Sequence, residues 1–495
     1  MTQRPNLALA LALALALAIA ATLCTAAAFA QTPPASAPDS AASAALVQAR
    51  RPDERRPENP VTVTLFGRPV ELGLSYEVGH ERRLNFDLDG TRQRGRDVLD
   101  QELKFDARLR VGQTTTVFVQ GVGLAERRTA LRDGSAQSRH SFERSQTWLL
   151  LEGLAGLPLS LQVGRIALIE RRSWWWDDDL DALRLSYTPA DWRLDTGLAR
   201  EVAKVSSASR GIAPDLKGLI RWFGHASWRW APGQAVEGFW LVANDRSGAA
   251  PPGTLFDPGN EDAADAQLRW FGLRASGEAR TASGHRFSYR ADAALLRGRD
   301  SRTAFSETPS GQVSAGASST RRVRGQAWDL GALWRLPGNA RPTFSLGLAS
   351  GSGGVGSATE DRNFRQTGLQ ENKGRIAGVK RIRYYGELLD PELSNLRIAT
   401  LGFGLRGLSN SSVEVLLHDY RQPVASTRLA GSRLSQAPVG LNRGIGREID
   451  LLFALREWRH VELTLLLARF RPGAAFAADR RDPANMIEIG ATLTF

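Results

Sequence analysis

The stretch MIEIGATLTF, residues 486–495, decides how the rest of the sequence is read. Ile487, Ile489, Ala491, Leu493 and Phe495 fall on one side of a period-two pattern, and Glu488, Gly490, Thr492 and Thr494 fall on the other. Successive side chains of a strand point to opposite faces, so the segment has one apolar and one polar face. Alone, it fits a half-buried strand of a soluble sandwich as well as a strand of a membrane wall.

The stretches upstream choose between these. Val70, Leu72, Leu74, Tyr76 and Val78 alternate with Glu71, Gly73, Ser75, Glu77 and Gly79; Leu103, Phe105, Ala107, Leu109 and Val111 alternate with Lys104, Asp106, Arg108 and Arg110. Four consecutive charges on one face and none on the other describe a wall between lipid and water. Similar segments recur near 115–126, 142–152, 158–166, 179–188, 191–201, 217–230, 234–244, 266–278, 285–297, 322–334, 341–350, 395–407, 411–420, 446–456 and 460–470. The expected fold is an all-β, transmembrane antiparallel β-barrel of about 18 strands, an even number as bacterial barrels prefer. Connections alternate between tight turns such as Ala231-Pro232-Gly233 and Ser409-Asn410-Ser411 and long stretches such as 80–98, 298–321 and 351–394. That asymmetry predicts short periplasmic turns and long extracellular loops. Trp222, Trp228, Trp230, Trp328, Trp334 and Trp458 lie toward strand ends, where an aromatic girdle meets lipid headgroups.

Composition agrees. With 42% hydrophobic and 23% charged residues in 495, and no apolar run of spanning length past the N-terminus, a helical membrane protein is excluded. Residues 1–30 read as a signal peptide, with Arg4, an apolar stretch and Ala28-Phe29-Ala30 before Gln31. Leu23 before Cys24 does not suit lipoprotein processing, and Cys24 is the single cysteine, so disulfides and thiolate metal sites are not expected. Residues 31–60, rich in Pro, Ala and Arg, read as a flexible periplasmic tail too short for a plug domain, and 61–495 as the barrel. The formal charge is +12, carried almost wholly by arginine; a GC-rich coding bias explains that ratio as readily as function does, so only the positions of the arginines are informative.

The most distinctive run is GRIALIERRSWWWDDDLDALRL, from Gly164 to Leu185, with Arg171, Arg172, Trp174 to Trp176, Asp177 to Asp179, Asp181 and Arg184. It resembles the alginate-export family of outer-membrane barrels, in which a Gly-Arg strand end, an Arg-rich turn, tryptophan and a D-x-D-[AG]-x-R-[LV] pattern recur. A second similarity is Arg383-Tyr384-Tyr385-Gly386-Glu387 followed by Glu392-Leu393-Ser394-Asn395-Leu396. The C-terminal Phe also resembles the terminal residue recognised by the barrel-assembly machinery. The resemblance implies a bacterial outer-membrane location and an electropositive pore that passes an anionic, alginate-like polyuronate. It also implies a long occluding periplasmic turn near the C-terminal strands, and here that turn, about 456–460, is short.

Parity places Arg108, Arg110, Arg184, Arg193 and Arg290 on the polar face with Asp106, Asp195 and Asp292 beside them. Such a lining would attract a polyanion while the acids orient the guanidinium groups; interior pairs that merely stabilise the wall are the alternative. Arg171, Arg172, Asp179, Asp181, Arg383 and Glu387 complete the candidate pore-lining set. Arg165 has outward parity, and meets headgroups unless a bulge turns it inward. The three tryptophans either stack on sugar rings or anchor the loop at the membrane surface, the anchor being the expected role.

Two channel readings stay open: passive export of an anionic polysaccharide, and a porin for small anionic solutes, which loop 351–394 would favour if folded inward. An outer-membrane hydrolase is the third reading. Of the six histidines only His225 and His418 fall within strands, and no G-x-S-x-G or metal-ligand spacing occurs, so no enzyme, metal or cofactor is expected. Expected partners are outer-membrane lipid, the anionic substrate and a periplasmic export partner, with no nucleic acid and a monomeric state.

Overall fold

The computed structural model describes residues 61–495 apart from Phe66, Arg92, Gln93, Val355, Gly356 and Ala358. The expected signal peptide over 1–30 and the tail over 31–60 lie outside the described residues.

An antiparallel barrel of 18 strands closes on itself. In chain order the strands are β1 Arg68–Leu84, β2 Gly95–Val111, β3 Thr115–Ala130, β4 Ala136–Leu151, β5 Leu159–Ile169 and β6 Asp177–Tyr187. Then follow β7 Trp192–Ala199, β8 Leu219–Ala231, β9 Gln234–Asp245, β10 Ala264–Arg280, β11 Arg286–Glu307 and β12 Val313–Arg335. The last six are β13 Thr343–Gly351, β14 Leu396–Leu405, β15 Ser412–Arg421, β16 Gly444–Leu455, β17 Val461–Pro472 and β18 Ala484–Thr494. β18 pairs with β1 from Ser75 opposite Thr494 to Leu84 opposite Asn485. The C-terminal residue completes this seam: Phe495 N–H donates to the Leu74 carbonyl at 2.8 Å, and Leu74 N–H donates to the Phe495 carbonyl at 3.1 Å. Closure matters because an unpaired strand edge in hydrocarbon has no water to satisfy it.

The outward stripe is apolar, as the alternation requires: Leu103, Phe105, Leu183, Leu185, Leu273 and Leu346 are exposed, while their chain neighbours turn inward. At the short-turn end the outward aromatics form a girdle. Trp192 stacks on Trp228 at 5.3 Å, Phe287 on Trp334 at 5.9 Å, and Trp334, Phe344 and Phe403 continue the row. At the other end the strands run past the alternation; β11 and β12 extend to Glu307 and Val313, so most of 298–321 is hairpin rather than loop. Beyond the lipid both faces meet water, and the period loses its chemical contrast there.

The wall is interrupted once, at β5 and β6. These two strands pair along their whole length, to Ile169 opposite Asp177. Their neighbours do not follow: β4 pairs with β5 only from Leu151 to Thr147, and β7 with β6 only as far as Ala182 opposite Ala199. The upper part of the hairpin therefore leaves the wall. It turns at Gly164, whose φ of +126° and 2.2 Å gap from a built Cβ to the Thr147 carbonyl admit no side chain. The vacated seam is patched by the segment after β7: Arg144 N–H donates to the Val205 carbonyl at 2.9 Å and Ser207 N–H to the Phe142 carbonyl at 2.8 Å.

A second piece enters the lumen, the connection 352–395 between β13 and β14, with a short hairpin pairing Lys373–Gly374 to Ile382–Arg383. Phe364, Leu369, Ile382, Tyr384, Tyr385, Leu388, Leu389 and Leu393 on this loop are buried in one cluster with Trp174, Trp175 and Trp176. The barrel thus contains an apolar core inside its lumen, and each large side chain buried there contributes about 1.5–3 kcal/mol.

Candidate functional site

Trp175 decides where the bent hairpin sits. Its indole lies flat on Phe239 at 5.0 Å and 8°, and it fills the space over Gly272, where an added Cβ would come within 2.0 Å of the ring. Trp174 donates through Nε1 to the Tyr385 hydroxyl at 2.8 Å, and Trp176 packs edge-on to Phe239 and Phe223. The three tryptophans are therefore not a surface anchor. They are at most 3% exposed.

Under them runs a charge network built from wall and loop. Arg172 bridges Asp292 at 2.8 Å and Asp329 at 3.1 Å, with its guanidinium 4.5 Å from the Tyr384 ring centroid. Arg274 bridges Asp292 and Glu170, both at 2.6 Å. Tyr385 donates to Asp329 at 2.6 Å, and Arg290 lies 3.8 Å from the same carboxylate. Burial alone would raise the Glu170 carboxyl, but Arg274 and the Arg172 amide outweigh it and bring its pKa down to about 2. Arg172 is likewise held above its ordinary value: burial opposes its charge, and Asp329, with Asp292, overcomes that. Arg381 meets Asp177 at 2.7 Å and Ser173, joining the loop to the bent hairpin.

Farther along the wall, carboxylates accept loop amides directly. Asp450 takes the Glu387 N–H at 3.1 Å, Glu448 takes those of Leu388 and Leu389 at 2.7 and 3.0 Å, and Glu414 takes that of Ala377 at 2.9 Å. At the loop's foot, Arg456 donates to the Val379 carbonyl and Arg406 to that of Gly378. Since Arg406 and Arg456 flank periplasmic turns, the loop spans the lumen from mouth to base.

A cavity of about 500 Å³ lies between this loop and the wall of β1, β2, β17 and β18. Lys373, Lys380, Arg381 and Arg383 line its loop side, and Glu77, Asp100, Glu102, Asp106 and Glu488 its wall side; carboxylates outnumber lysines and arginines around it.

The candidate residues divide accordingly. Asp106 lines the cavity, Arg108 pairs with Glu71 across β1 and β2, and Arg110 sits at the periplasmic turn, donating to the Gln113 carbonyl. Arg184 is buried against Gln162, and Arg193 pairs with Asp195 at 2.6 Å. Arg290, Asp292 and Arg172 belong to the network beneath the tryptophans; Arg171 is exposed. Arg383 pairs with Glu387 at 3.2 Å and Asp390 at 2.8 Å. Asp179 accepts from Ser145 at 2.8 Å. Asp181 shares the outward parity of Leu183 and Leu185 and lies outside the lumen face. It binds Arg144 at 2.6 Å and the Val202 N–H at 3.0 Å, with Arg165 at 3.7 Å. Arg165 keeps its outward parity yet meets no headgroup, because Glu201, at 3.3 Å, and Asp181 enclose it beneath the patch. The wall carboxylates Glu414, Glu448 and Asp450, the wall arginine Arg274 and the loop's Arg381 escaped the sequence reading; for the wall residues the signal is a charge at an in-facing position of a strand.

These features define an outer-membrane β-barrel channel with an occupied lumen. A model of the alginate-export family matches residues 68–490, and the chain belongs to that family. The family places it among channels rather than enzymes. The alginate production protein AlgE of Pseudomonas aeruginosa is 26% identical over 366 residues, covering 71% of this chain and 73% of the relative. The protein of the same name from Pseudomonas syringae pv. tomato is 23% identical, covering 58% and 57%. Among solved structures, Pseudomonas aeruginosa OccD3 (OpdP) aligns over 93% of this chain and 99% of its own with a TM-score of 0.53 at 13% identity. Acinetobacter baumannii OccAB2 aligns over 86% and 98% with a TM-score of 0.52 at 11% identity. These two likenesses concern the fold.

Proposed function

We propose that this channel exports an anionic, alginate-like polyuronate across the outer membrane, passively, with arginines of the lumen guiding the chain. Family membership carries this reading, since two AlgE relatives are named for alginate production. The path runs beside loop 352–395. Arg383 and Lys373 face it from the loop, while Arg108 and Arg110 stand on the wall toward the periplasmic side. Weak, multiple, partly neutralised contacts suit a polymer that must keep moving. Outer-membrane lipid surrounds the apolar stripe, and a periplasmic partner delivers the polymer to a monomeric barrel.

The inward loop favours the second reading in the resting molecule, because it fills much of the lumen and leaves a cavity of about 500 Å³ beside it. Its surplus of carboxylates, however, disfavours small anions. Export therefore requires the loop to yield. The test is passage of polyuronate in vesicles carrying charge-reversed Arg108, Arg110 or Arg184. Lower passage with an intact barrel is expected, and unchanged passage in all three would remove the arginine-guided mechanism. Block by phosphate but not polyuronate would install the porin.

A further inference from the structure

Three neighbouring strands carry arginines abreast at their periplasmic ends. Arg280 of β10 stands opposite Arg286 of β11, and Arg286 stands opposite Arg335 of β12. Like charges directly opposite one another weaken a sheet, so structure alone gives no reason for this row. Arg280 pairs with Glu278 at 2.7 Å, whereas Arg335 reaches only the Thr343 hydroxyl at 3.4 Å. Neither Arg286 nor Arg335 forms an ion pair among the described residues. Arg341, on the turn after β12, and Arg406, just past β14, lie close enough to add their repulsion, and the Arg406 N–H is bonded to the Ala340 carbonyl at 2.8 Å. Glu278 and Glu414 are the acids that face the group.

Parity says which compartment the row addresses. Phe287 and Trp334, next in sequence, are stacked on each other and face the lipid. Arg286 and Arg335 therefore face the lumen, at the mouth a polymer would enter from the periplasm. Lipid phosphates would meet the opposite face.

We infer that Arg280, Arg286 and Arg335, with Arg341 and Arg406, form a periplasmic entry site that captures the carboxylates of an incoming polyanionic polysaccharide. A planar fork suits each carboxylate, and a row of cations, of which Arg286 and Arg335 form no ion pair among the described residues, suits a repeating anion. The inference rests on the export reading and places its first contact. Arg406 also holds the Gly378 carbonyl at the foot of the lumen loop, so a uronate drawing on Arg406 competes with that hold.

The experiment is equilibrium binding of a fluorescent oligouronate to the refolded barrel, read by anisotropy. R286S/R335S is compared with R299S/R322S, which removes a cross-strand arginine pair of the same two strands on their outward face at the extracellular end. Losing like-charge pairs does not threaten folding, and unchanged heat-modifiable mobility on gels verifies it. We expect roughly tenfold weaker binding for R286S/R335S, about 1.4 kcal/mol, and wild-type binding for the control. Wild-type affinity in R286S/R335S overturns the entry site and leaves export standing. An unaltered barrel that binds no oligouronate, or binds neutral dextran equally, overturns both.

Discussion

Replacing Arg172 with leucine should loosen the lumen without unravelling the wall. The substitution preserves bulk but removes the bridges to Asp292 and Asp329 and the contact over Tyr384. Breaking one side of a buried ion pair costs about 3–5 kcal/mol, because the abandoned charge stays desolvated. Here each aspartate keeps another donor, Arg274 for Asp292 and Tyr385 for Asp329, so the lower end applies. About 3 kcal/mol shifts a docked-to-undocked ratio roughly a hundredfold. The penalty falls on the docked state alone, since undocked carboxylates regain water, and no strand pairing in the barrel uses the Arg172 side chain. The measurement is single-channel conductance in a planar bilayer, joined to limited trypsin digestion, for which loop 352–395 offers Arg362, Arg365, Lys373 and Arg375. We expect frequent large-conductance openings and cleavage within the loop, with heat-modifiable gel mobility retained. Wild-type conductance and an uncut loop would refute the idea that this network pins the lumen shut.

Gly272→Leu should expel Trp175 from its seat against β10, raising conductance and the tryptophan emission wavelength together; unchanged emission would mean that the ring has another seat. The pH response of Glu170 has a definite sign. Its folded pKa, about 2, lies below the ordinary 4.5, so its contribution to docking is complete above that ordinary value and is lost as pH falls toward 2. The difference in open probability between wild type and Glu170→Gln should therefore be constant from neutral pH to about 5 and shrink below 4. A difference that disappears already near pH 6 would assign the effect elsewhere.

Strands were legible because lipid on one side and water on the other impose a chemical contrast at every second residue. Each of the segments expected from alternation corresponds to a strand. The same logic failed around Gly164 because it assumes that a strand stays in the wall. Ile166-Ala167-Leu168-Ile169 breaks the alternation, and such a run marks residues covered on both sides. Read that way, the run places Trp174 to Trp176 inside the barrel rather than at the membrane surface. Loop 352–395 carried a weaker signal: most of its large apolar residues, Ile376, Ile382, Tyr384, Tyr385, Leu388, Leu389 and Leu393, gather in its second half among charges. Which wall carboxylate receives which loop amide was beyond reach, since those contacts join residues such as Leu388 and Glu448 through a loop path that no local pattern specifies.

The patched seam ties two loop lengths to each other. The hairpin that folds inward leaves an opening whose width is set by how many residues depart, and Ala203 to Ser207 must span it, with Asp181, Arg144 and Arg165 as fixed posts. A deletion in the hairpin that kept its tip in the wall would give the patch nothing to cover, and a shortened patch would leave the hairpin's gap open to lipid. Insertions and deletions in these two segments should consequently be inherited as a pair, although they lie on different connections.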